Sequence, residues 1–457
     1  MSRLNNRLLK NKNTMKVGIE AASFYIPNLY LDIKDLAAQR GIDPLKLENG
    51  LGLQKMAFPD AQEDTATFAA EALLQLIIDF NIFPTDINRI YLGTESALDA
   101  AKPTSTYALQ MVESVLEENF GKRCFKNCDA VDMIFACIGG VDALHNALDF
   151  VKINPHKKAV VIAADYAKYG LQSSGEYTQG GGAVALLIST QPDLLEIENY
   201  WGVSTESVLD FFKPRRYIPK TDLISATENM PETIEIFSDE PVFDGQFSND
   251  CFKNRIREAY YHFKEEKDIS TNLIDEWNFL IFHLPYAFHG KRIFTEIFAI
   301  ENQLPFESNE DLKMVANSDA YKKLVNEKIK NSQTASSEIG NMYTASIFMA
   351  LLSTLQSALD NKQELTGNKI GFFAYGSGSK AKVFEAKVNA NWKHVAKKWN
   401  LFETLQQRTA IDFETYEKLH KKQLKQPIFP NKKGFHLDCI ASEPETLKGA
   451  RFYKYIQ

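Results

Sequence analysis

Short apolar runs alternate along most of the chain with segments in which apolar residues recur at helical spacing. Residues 89–96 (RIYLGTES) and 159–165 (AVVIAAD) are short, apolar and rich in β-branched residues, which is typical of buried strands. Helical spacing between these two runs predicts helices over 105–118 and 140–151. Alternation of strand and helix in this way predicts an α/β fold.

The second half of the chain repeats this pattern. Residues 277–285 (WNFLIFHLP) predict a strand, and the pattern from 341 to 359 predicts a long helix. Residues 369–388 (KIGFFAYGSGSKAKVFEAKV) predict two strands joined by a glycine-rich turn. The polar segments 213–238 and 306–337 are interpreted as surface elaborations. The chain is therefore expected to contain two α/β halves of similar organisation.

Composition and charge narrow the class of protein. The chain has 457 residues, of which 44% are hydrophobic and 24% charged, and a net charge of -7. These values are typical of a globular protein and give no sign of binding to nucleic acid or a membrane surface. The five cysteines are an odd number without the pairing pattern of a secreted scaffold, which favours a reducing, cytoplasmic setting.

The N-terminal residues 1–14 (MSRLNNRLLKNKNT) are basic and lack the apolar centre of a signal peptide. We interpret them as a disordered extension and expect the fold to begin at Met15. No apolar stretch approaches the length that a transmembrane helix needs. The sequence therefore predicts a soluble protein without a membrane partner.

One cysteine lies between an apolar run and two glycines, in the segment 131–144 (VDMIFACIGGVDAL). A helical pattern begins there, so Cys137 is expected near a helix N-terminus. The unpaired N–H groups and the dipole at such an end favour a thiolate, which makes Cys137 a candidate nucleophile. The alternative is a small buried residue of the core, because free cysteine is often buried.

Two glycine-rich stretches resemble phosphate-binding loops but lack their context. The glycines of 175–189 (GEYTQGGGAVALLIS) are followed by a strand pattern instead of a helix, and the lysine of a P-loop is missing. The turn at 375–379 (YGSGS) joins two strand patterns. Both are predicted to be tight turns, and such turns can direct backbone N–H groups at a ligand as an oxyanion hole.

Three further residues are candidates for acid–base chemistry or binding. Glu95 follows a buried strand, His283 lies among apolar residues, and Asn341 precedes a helical run. Each also has a structural explanation: a solvated strand end, a core histidine and a helix N-cap, respectively. The residues alone do not decide between these explanations.

Taken in order, the motifs GTES, AC before glycine, DYAKYG, TQGGGAVALLI, DFFKP, PVFDGQFS, FHLPY, GNMYTASI and AYGSGS resemble the hydroxymethylglutaryl-CoA synthases of the thiolase superfamily. The resemblance runs from about Lys16 to the C-terminus. It implies a thiolase-like five-layered α/β/α/β/α fold of two similar halves, expected at residues 15–200 and 201–457, and a homodimer. It also implies condensation of acetyl-CoA with acetoacetyl-CoA in the mevalonate pathway of isoprenoid biosynthesis.

The resemblance assigns expected roles to residues of this chain. Cys137 corresponds to the nucleophile that acetyl-CoA acetylates, Glu95 to the general acid/base and His283 to the residue that binds the acetoacetyl thioester. The expected substrate-binding residues are Asn341, Ser377, Tyr169, Thr178 and Lys291. The backbone N–H of Ser377 is expected to form an oxyanion hole with that of Cys137. The resemblance implies no metal or other cofactor, with the CoA thioesters as substrates.

The chain departs from the family at two positions near these residues. Phe135 stands where a polar or acidic residue is usual, and Phe288 stands where a lysine is usual near the CoA entrance, with Lys291 just beyond. An altered entrance is compatible with a β-branching relative that takes acetoacetyl groups from an acyl carrier protein. The residues are also compatible with a cysteine hydrolase of acyl thioesters or with a catalytically inactive scaffold.

Overall fold

The structure, a computed structural model, describes residues 15–223 and 230–457 as a mixed α/β fold around a nine-stranded sheet. The extension predicted at 1–14 and part of the segment 213–238 lie outside the described residues. The strands are β1 (Gly18–Tyr25), β2 (Leu29–Asp32), β3 (Lys55–Phe58), β4 (Ile87–Gly93), β5 (Asp129–Met133), β6 (Lys158–Ala167), β7 (Gly180–Ser189), β8 (Leu195–Thr205), β9 (Phe211–Phe212), β10 (Arg215–Pro219), β11 (Thr233–Phe237), β12 (Val242–Phe243), β13 (Phe279–Phe282), β14 (Lys369–Gly376), β15 (Lys380–Val388), β16 (Thr409–Ala410), β17 (Gly434–Ile440) and β18 (Arg451–Ile456).

The α-helices are Ile33–Arg40, Thr65–Asp79, Thr104–Phe120, Gly139–Ile153, Gly245–Glu266, Leu273–Glu276, His289–Ile293, Thr295–Glu301, Asn309–Asn317, Asp319–Leu324, Lys330–Ile339, Ser346–Asp360, Trp392–Ala396, Leu401–Gln406 and Phe413–His420. In the described part of the chain, none of them is both long and apolar enough to cross a membrane.

The large sheet combines strands from both halves of the chain in the order β13-β14-β15-β8-β1-β7-β6-β4-β5. Its first-half strands are β1 and β4 to β7, and its second-half strands are β8 and β13 to β15. The two sets meet where β1 pairs with β8, Gly18 opposite Glu196 and Ile19 opposite Leu195. Residue 200, the expected boundary between the halves, lies inside β8.

Helices lie on both sides of each set of strands, which gives the five layers. The helices Thr65–Asp79 and Thr104–Phe120 bury their apolar faces against one face of the first-half strands. The helices Gly139–Ile153 and Ser346–Asp360 lie in the middle layer, and Gly245–Glu266 packs on β8, β14 and β15. Strands with both faces covered are almost wholly apolar, as β7 is here. The predicted α/β class is confirmed.

The first-half elements match their predicted positions within a few residues, whereas the helix predicted from 341 begins later. Residues Tyr343–Ala345 form a 3₁₀ turn, and the α-helix starts at Ser346. Tyr343 has a φ of 44°, in the left-handed region that an aromatic residue seldom adopts. A continuous helix cannot pass through that backbone conformation, so hydrophobic spacing alone placed the start too early.

The prediction of a surface elaboration at 306–337 was partly wrong. Most of the helix Lys330–Ile339 lies in this segment and packs against Ser346–Asp360, and Ile329 and Ala335 of the segment belong to the core. The polar residues that misled the prediction are small: the Ser332 hydroxyl, for example, donates to the backbone carbonyl of Ile329 at 2.7 Å. A serine that satisfies its hydroxyl within its own helix can be buried at little cost.

The C-terminal strands pack against elements of the first half of the chain. The β17–β18 hairpin packs on Thr65–Asp79 and Thr104–Phe120, and β16 pairs in parallel with β2. The halves are thus interleaved in space. This arrangement brings the carboxyl ends of β4 and β5 close to the loops that follow β13 and β14.

Candidate active site

Cys137 lies in the short connection between β5 and the helix Gly139–Ile153. A Cβ on Gly140 would lie 2.8 Å from the carbonyl oxygen of Thr344, and one on Gly93 would clash with the backbone nitrogen of Gly140. Only glycine permits such close approaches. The two glycines after Cys137 therefore allow the start of the helix Gly139–Ile153 to approach both the end of β4 and the backbone at Thr344 closely.

Two residues near Cys137 have unusual backbone conformations. Ala136, next to Cys137, has a φ of 38°, and Tyr343, which packs in the same apolar cluster as Cys137, has a φ of 44°. Non-glycine residues in this region cost about 1–3 kcal/mol each and concentrate at functional sites. Neither conformation was evident from the sequence, because neither residue is a glycine or an asparagine.

The Cys137 thiol donates a hydrogen bond to Oε1 of Glu95, with Sγ and Oε1 3.1 Å apart. Burial and the neighbouring Glu95 carboxylate raise the pKa of the Cys137 thiol well above its usual value. Burial also raises the pKa of Glu95 to about 7, although the nearby Lys213 ammonium opposes that rise. Burial and the carboxylate thus oppose the helix dipole, which favours the thiolate, and the role of Cys137 as the nucleophile stays a prediction.

A buried aspartate holds Glu95 in place. Asp165 accepts hydrogen bonds from the backbone N–H of Glu95 and the hydroxyl of Thr94, both at 2.9 Å. Its second oxygen accepts from the backbone N–H and the hydroxyl of Thr344, in the other half of the chain. A fully buried carboxylate needs such donors, and here they link both halves at the site. The aspartate belongs to the DYAKYG motif, but its role was not predicted from the sequence.

The cavity in front of the thiol, which we call the Cys137 cavity, has a volume of about 300 Å³. It brings together most of the residues proposed from the sequence, namely Cys137, Tyr169, Thr178, His283, Asn341 and Ser377. Glu95 does not line this cavity; it lines a separate cavity of about 770 Å³ together with Lys213. The Lys213 ammonium donates to the Glu95 backbone carbonyl at 3.2 Å and lies 4.8 Å from the ring centroid of Tyr343.

His283 directly follows β13 and is 2% exposed. Its backbone N–H continues the pairing with β14 by donating to the carbonyl of Phe373 at 2.9 Å, and its ring stacks on Phe252. Its Nδ1 is buried with no hydrogen-bond partner among the described residues. Burial lowers the pKa of His283 to about 3, so the imidazole is neutral at physiological pH.

Asn341 fixes the turn that precedes the helix Ser346–Asp360. Its Oδ1 accepts from the backbone N–H of Tyr343 at 2.8 Å and from the Ser346 hydroxyl at 3.1 Å. Its own N–H donates to the carbonyl of Thr178 at 2.9 Å. The expectation of a helix N-cap at Asn341 is wrong, because the N-cap position of the helix is Ala345. The side-chain oxygen of Asn341 instead closes the preceding turn, and the residue lines the Cys137 cavity.

The turn that carries Ser377 joins β14 to β15 as a hairpin, as predicted. A Cβ on Gly376 would lie 2.8 Å from both the carbonyl oxygen of Phe135 and the backbone nitrogen of Ile138, so the turn rests against the cysteine segment. Buried Asp210 accepts from the N–H of Gly378 at 2.8 Å and from the Tyr375 hydroxyl. Asp210, in the DFFKP region, is a second buried carboxylate whose role was not predicted from the sequence.

Lys291 does not line the Cys137 cavity. It lies in an adjacent groove of about 910 Å³, which we call the Lys291 groove. The groove is lined by two acidic side chains, Glu296 and Glu310, of which Glu310 pairs with Lys313 at 2.6 Å, and by five basic ones: Lys253, Lys291, Arg292, Lys313 and Lys322. The Phe288 ring packs on Gly52, and the Lys291 ammonium lies 3.2 Å from the centroid of that ring. Among residues 15–223 and 230–457, no group of three or more His, Cys, Asp or Glu is arranged to hold a metal ion.

Comparisons with known proteins agree with this geometry. Residues 13–193 match the family model described as the hydroxymethylglutaryl-coenzyme A synthase N terminal, and residues 306–438 match the corresponding C-terminal model. The hydroxymethylglutaryl-CoA synthase of Haloferax volcanii is 31% identical over 433 residues, which is 88% of this chain and 91% of the relative. That of Enterococcus faecalis is 29% identical over 90% of this chain and 93% of its own length.

The solved structures lead to the same family. The structure of MvaS in complex with 3-hydroxy-3-methylglutaryl coenzyme A superposes with a TM-score of 0.80 at 29% identity, and covers 97% of this chain and 99% of that chain. A crystal structure of an HMG-CoA synthase complexed with CoA gives a TM-score of 0.76 at 25% identity, covering 97% of this chain and 100% of that one. The thiolase-like arrangement expected from the sequence is thereby confirmed. The chain belongs to the hydroxymethylglutaryl-CoA synthase family.

Proposed function

We propose that the chain condenses acetyl-CoA with acetoacetyl-CoA to give 3-hydroxy-3-methylglutaryl-CoA for the mevalonate pathway. The observation that carries the proposal is the 3.1 Å contact between Cys137 Sγ and Glu95 Oε1, beside a cavity that also holds His283 and Asn341. A nucleophile and a carboxylate in contact provide for both acyl transfer and carbon–carbon bond formation. The family membership of the chain supports the same reaction.

Acetylation begins when the Cys137 thiol transfers its proton to the Glu95 carboxylate. Because the carboxyl pKa lies near 7, Glu95 is a suitable acceptor for the thiol proton. The thiolate attacks the acetyl thioester carbon, the bond to the CoA sulfur breaks, and Glu95 returns the proton to the leaving CoA thiolate. We propose that the backbone N–H groups of Cys137 and Ser377 stabilise the tetrahedral oxyanion, since the 375–379 turn rests against the cysteine segment.

Condensation uses the same carboxylate a second time. Glu95 removes a proton from the methyl group of acetyl-Cys137, and the resulting enolate attacks the ketone carbon of acetoacetyl-CoA. Glu95 then gives its proton to the new alkoxide, and water hydrolyses the thioester to Cys137. Neutral His283 donates a hydrogen bond to the acetoacetyl thioester, while Asn341, Tyr169 and Thr178 shape the pocket. This chemistry requires no metal or redox cofactor.

The CoA portion of both substrates is proposed to lie in the Lys291 groove. Its basic side chains suit the phosphates of CoA, and the groove adjoins the Cys137 cavity. At position 288 the family lysine is replaced by phenylalanine, but the Lys291 ammonium lies against that ring. Lys291 therefore supplies a positive charge close to the place where the family has one.

A homodimer is proposed from the resemblance and from one edge of the sheet. Strand β5 ends the nine-stranded sheet and pairs with β4 only, among the described strands. Val131 and Ile134 beside this edge are 36% and 67% exposed. A second copy of the chain could pack against such an unpaired edge strand and bury its exposed apolar side chains.

We expect Val131→Asp to shift the protein from dimer to monomer, because a charge would be buried at the proposed contact. Light scattering during size-exclusion chromatography measures the change. Met314→Asp, at an exposed site on the helix Asn309–Asn317, is the matched control and should leave the mass unchanged. A wild-type protein that elutes as a monomer at all concentrations would contradict the proposal.

The cytoplasm is the proposed compartment. All five cysteines, Cys124, Cys128, Cys137, Cys251 and Cys439, are free in the structure. Free thiols, including one required for catalysis, persist in a reducing environment and are readily oxidised outside it.

The direct test of the proposed function is to mix the protein with acetyl-CoA and acetoacetyl-CoA and follow the loss of the acetoacetyl enolate absorbance. Formation of 3-hydroxy-3-methylglutaryl-CoA supports the proposal. The same assay with an acetoacetyl carrier protein tests whether the chain is a β-branching enzyme. Release of acetate without consumption of acetoacetyl-CoA would instead identify a hydrolase.

Replacing His283 by alanine is expected to separate the two half-reactions. The variant should still acetylate Cys137 but lose about tenfold or more in kcat/KM for acetoacetyl-CoA, because a hydrogen bond to the buried thioester is removed. Acetylation, condensation and the melting temperature are measured on one sample, with exposed His394→Ala as the control. Equal losses in both half-reactions that follow a lowered melting temperature would show that His283 is a core residue only.

A further inference from the structure

A second histidine close to the site is buried without a hydrogen-bond partner. His289 begins the helix His289–Ile293 and is 2% exposed. Neither of its ring nitrogens, Nδ1 or Nε2, makes a hydrogen bond within the described residues. Buried polar atoms in proteins nearly always have partners, so an imidazole with two bare nitrogens points to a partner that binds there.

The ring of His289 is fixed by its aromatic neighbours. It packs edge-to-face on Phe252, with ring centroids 4.5 Å apart, and on Tyr286 at 4.8 Å. Burial, with smaller contributions from the neighbouring His283, Arg292 and Lys253, lowers the pKa of His289 to about 3. The ring is therefore neutral and offers one N–H donor and one nitrogen acceptor.

The position of His289 indicates which part of a bound thioester lies next to it. His289 lines both the Cys137 cavity and the Lys291 groove, and shares both with Asn249, Tyr286 and Arg292. A thioester with its phosphates in the basic groove and its acyl group at Cys137 must place the intervening arm at this junction. In CoA that arm is pantetheine, which carries two secondary amides.

We propose that His289 binds a secondary amide of the pantetheine arm. The carbonyl of an amide can accept from the ring N–H, and the N–H of the other amide of the arm can donate to the second ring nitrogen, because the C=O and N–H of a single trans amide point in opposite directions. Methylene groups or a phosphate would leave the acceptor nitrogen of the ring without a partner. This inference rests on the proposed function, and it assigns a binding residue that the sequence motifs did not indicate.

The test compares thioesters with and without the amide. His289→Phe keeps an aromatic ring against Phe252 and Tyr286 but removes both nitrogens. We expect kcat/KM for acetylation of Cys137 by acetyl-CoA to fall about tenfold, whereas acetylation by S-ethyl thioacetate, which has no amide, stays at the wild-type rate. His289→Asn, which keeps a donor and an acceptor, should recover part of the loss. His394→Phe, at an exposed histidine, is the control and should match the wild type on both.

Each outcome decides the inference. Equal losses on both thioesters, or no loss on either, would overturn it, and the second result would indicate that ordered water satisfies the ring. Acetyl carrier protein presents the same pantetheine arm as acetyl-CoA, so a loss with either of them that is absent with S-ethyl thioacetate supports the contact. The thioester that the wild type uses better shows whether CoA or a carrier protein supplies the arm. A wild-type protein that neither acetylates nor condenses would overturn the proposed function, whereas failure of the inference leaves wild-type condensation intact.

Discussion

Cys137→Ala is expected to abolish both acetylation by acetyl-CoA and synthesis of 3-hydroxy-3-methylglutaryl-CoA. No other described cysteine lines the Cys137 cavity, so no other thiol can accept the acetyl group in contact with Glu95. The substitution removes a single sulfur atom and should leave the melting temperature close to that of the wild type. Intact-protein mass spectrometry after mixing with acetyl-CoA measures the adduct.

The other four cysteines supply the controls. Alanine at Cys124, Cys128, Cys251 or Cys439 should leave acetylation intact, because none of these thiols meets a carboxylate in a cavity of the site. Peptide mapping locates the acetyl group in the wild type. An adduct on any cysteine other than Cys137 would falsify the assignment of the nucleophile.

Glu95→Ala is expected to accumulate acetyl-Cys137 and to condense it at a rate reduced by about a hundredfold or more. Glu95 accepts the thiol proton in the wild type but also raises the pKa of the thiol, so in the variant we expect acetylation to be slower yet to continue, with water as the proton acceptor. Among the described residues no other carboxylate hydrogen-bonds the thiol, and loss of a general base typically has an effect of this size. Glu95→Gln, which keeps the shape of the side chain, should behave in the same way.

The pH dependence of condensation checks the same residue. Only the ionised form of Glu95 can remove a proton, and burial raises its pKa to about 7 from the ordinary value of 4.5. The single-turnover condensation rate of acetylated wild-type protein should therefore rise with pH through about 7 and level off above it. A rise complete by pH 5, or near-normal condensation by Glu95→Ala, would leave Glu95 as a structural residue at the end of a strand.

The sequence suggested candidate site residues where each belongs to a local motif, and their roles stay predictions. Cys137 beside two glycines, Glu95 after a strand and the 375–379 turn all have local patterns, and the structure places them together. The structure places Lys291 in the Lys291 groove and not in the Cys137 cavity. The sequence could not predict this, because spacing along a chain does not show which cavity a flexible side chain lines.

Residues that act through distant contacts could not be found in this way. Asp165 meets Thr94 across 71 residues and Thr344 across 179, and Asp210 meets Gly378 across 168. In the sequence, such an aspartate cannot be distinguished from a surface carboxylate, because its hydrogen-bond donors come from residues that are distant along the chain. The raised pKa of the Cys137 thiol has the same origin, because a helix N-terminus is visible in the sequence whereas burial beside Glu95 is not.

The most direct test of the proposed condensation is a two-step mass measurement on the wild-type protein. The protein is first mixed with acetyl-CoA, separated from free CoA thioesters, and then mixed with acetoacetyl-CoA. We expect the mass first to rise by one acetyl group on Cys137, and acetoacetyl-CoA then to remove this adduct as 3-hydroxy-3-methylglutaryl-CoA. An adduct that is lost only as acetate, or a protein that never gains the acetyl group, would contradict the proposal.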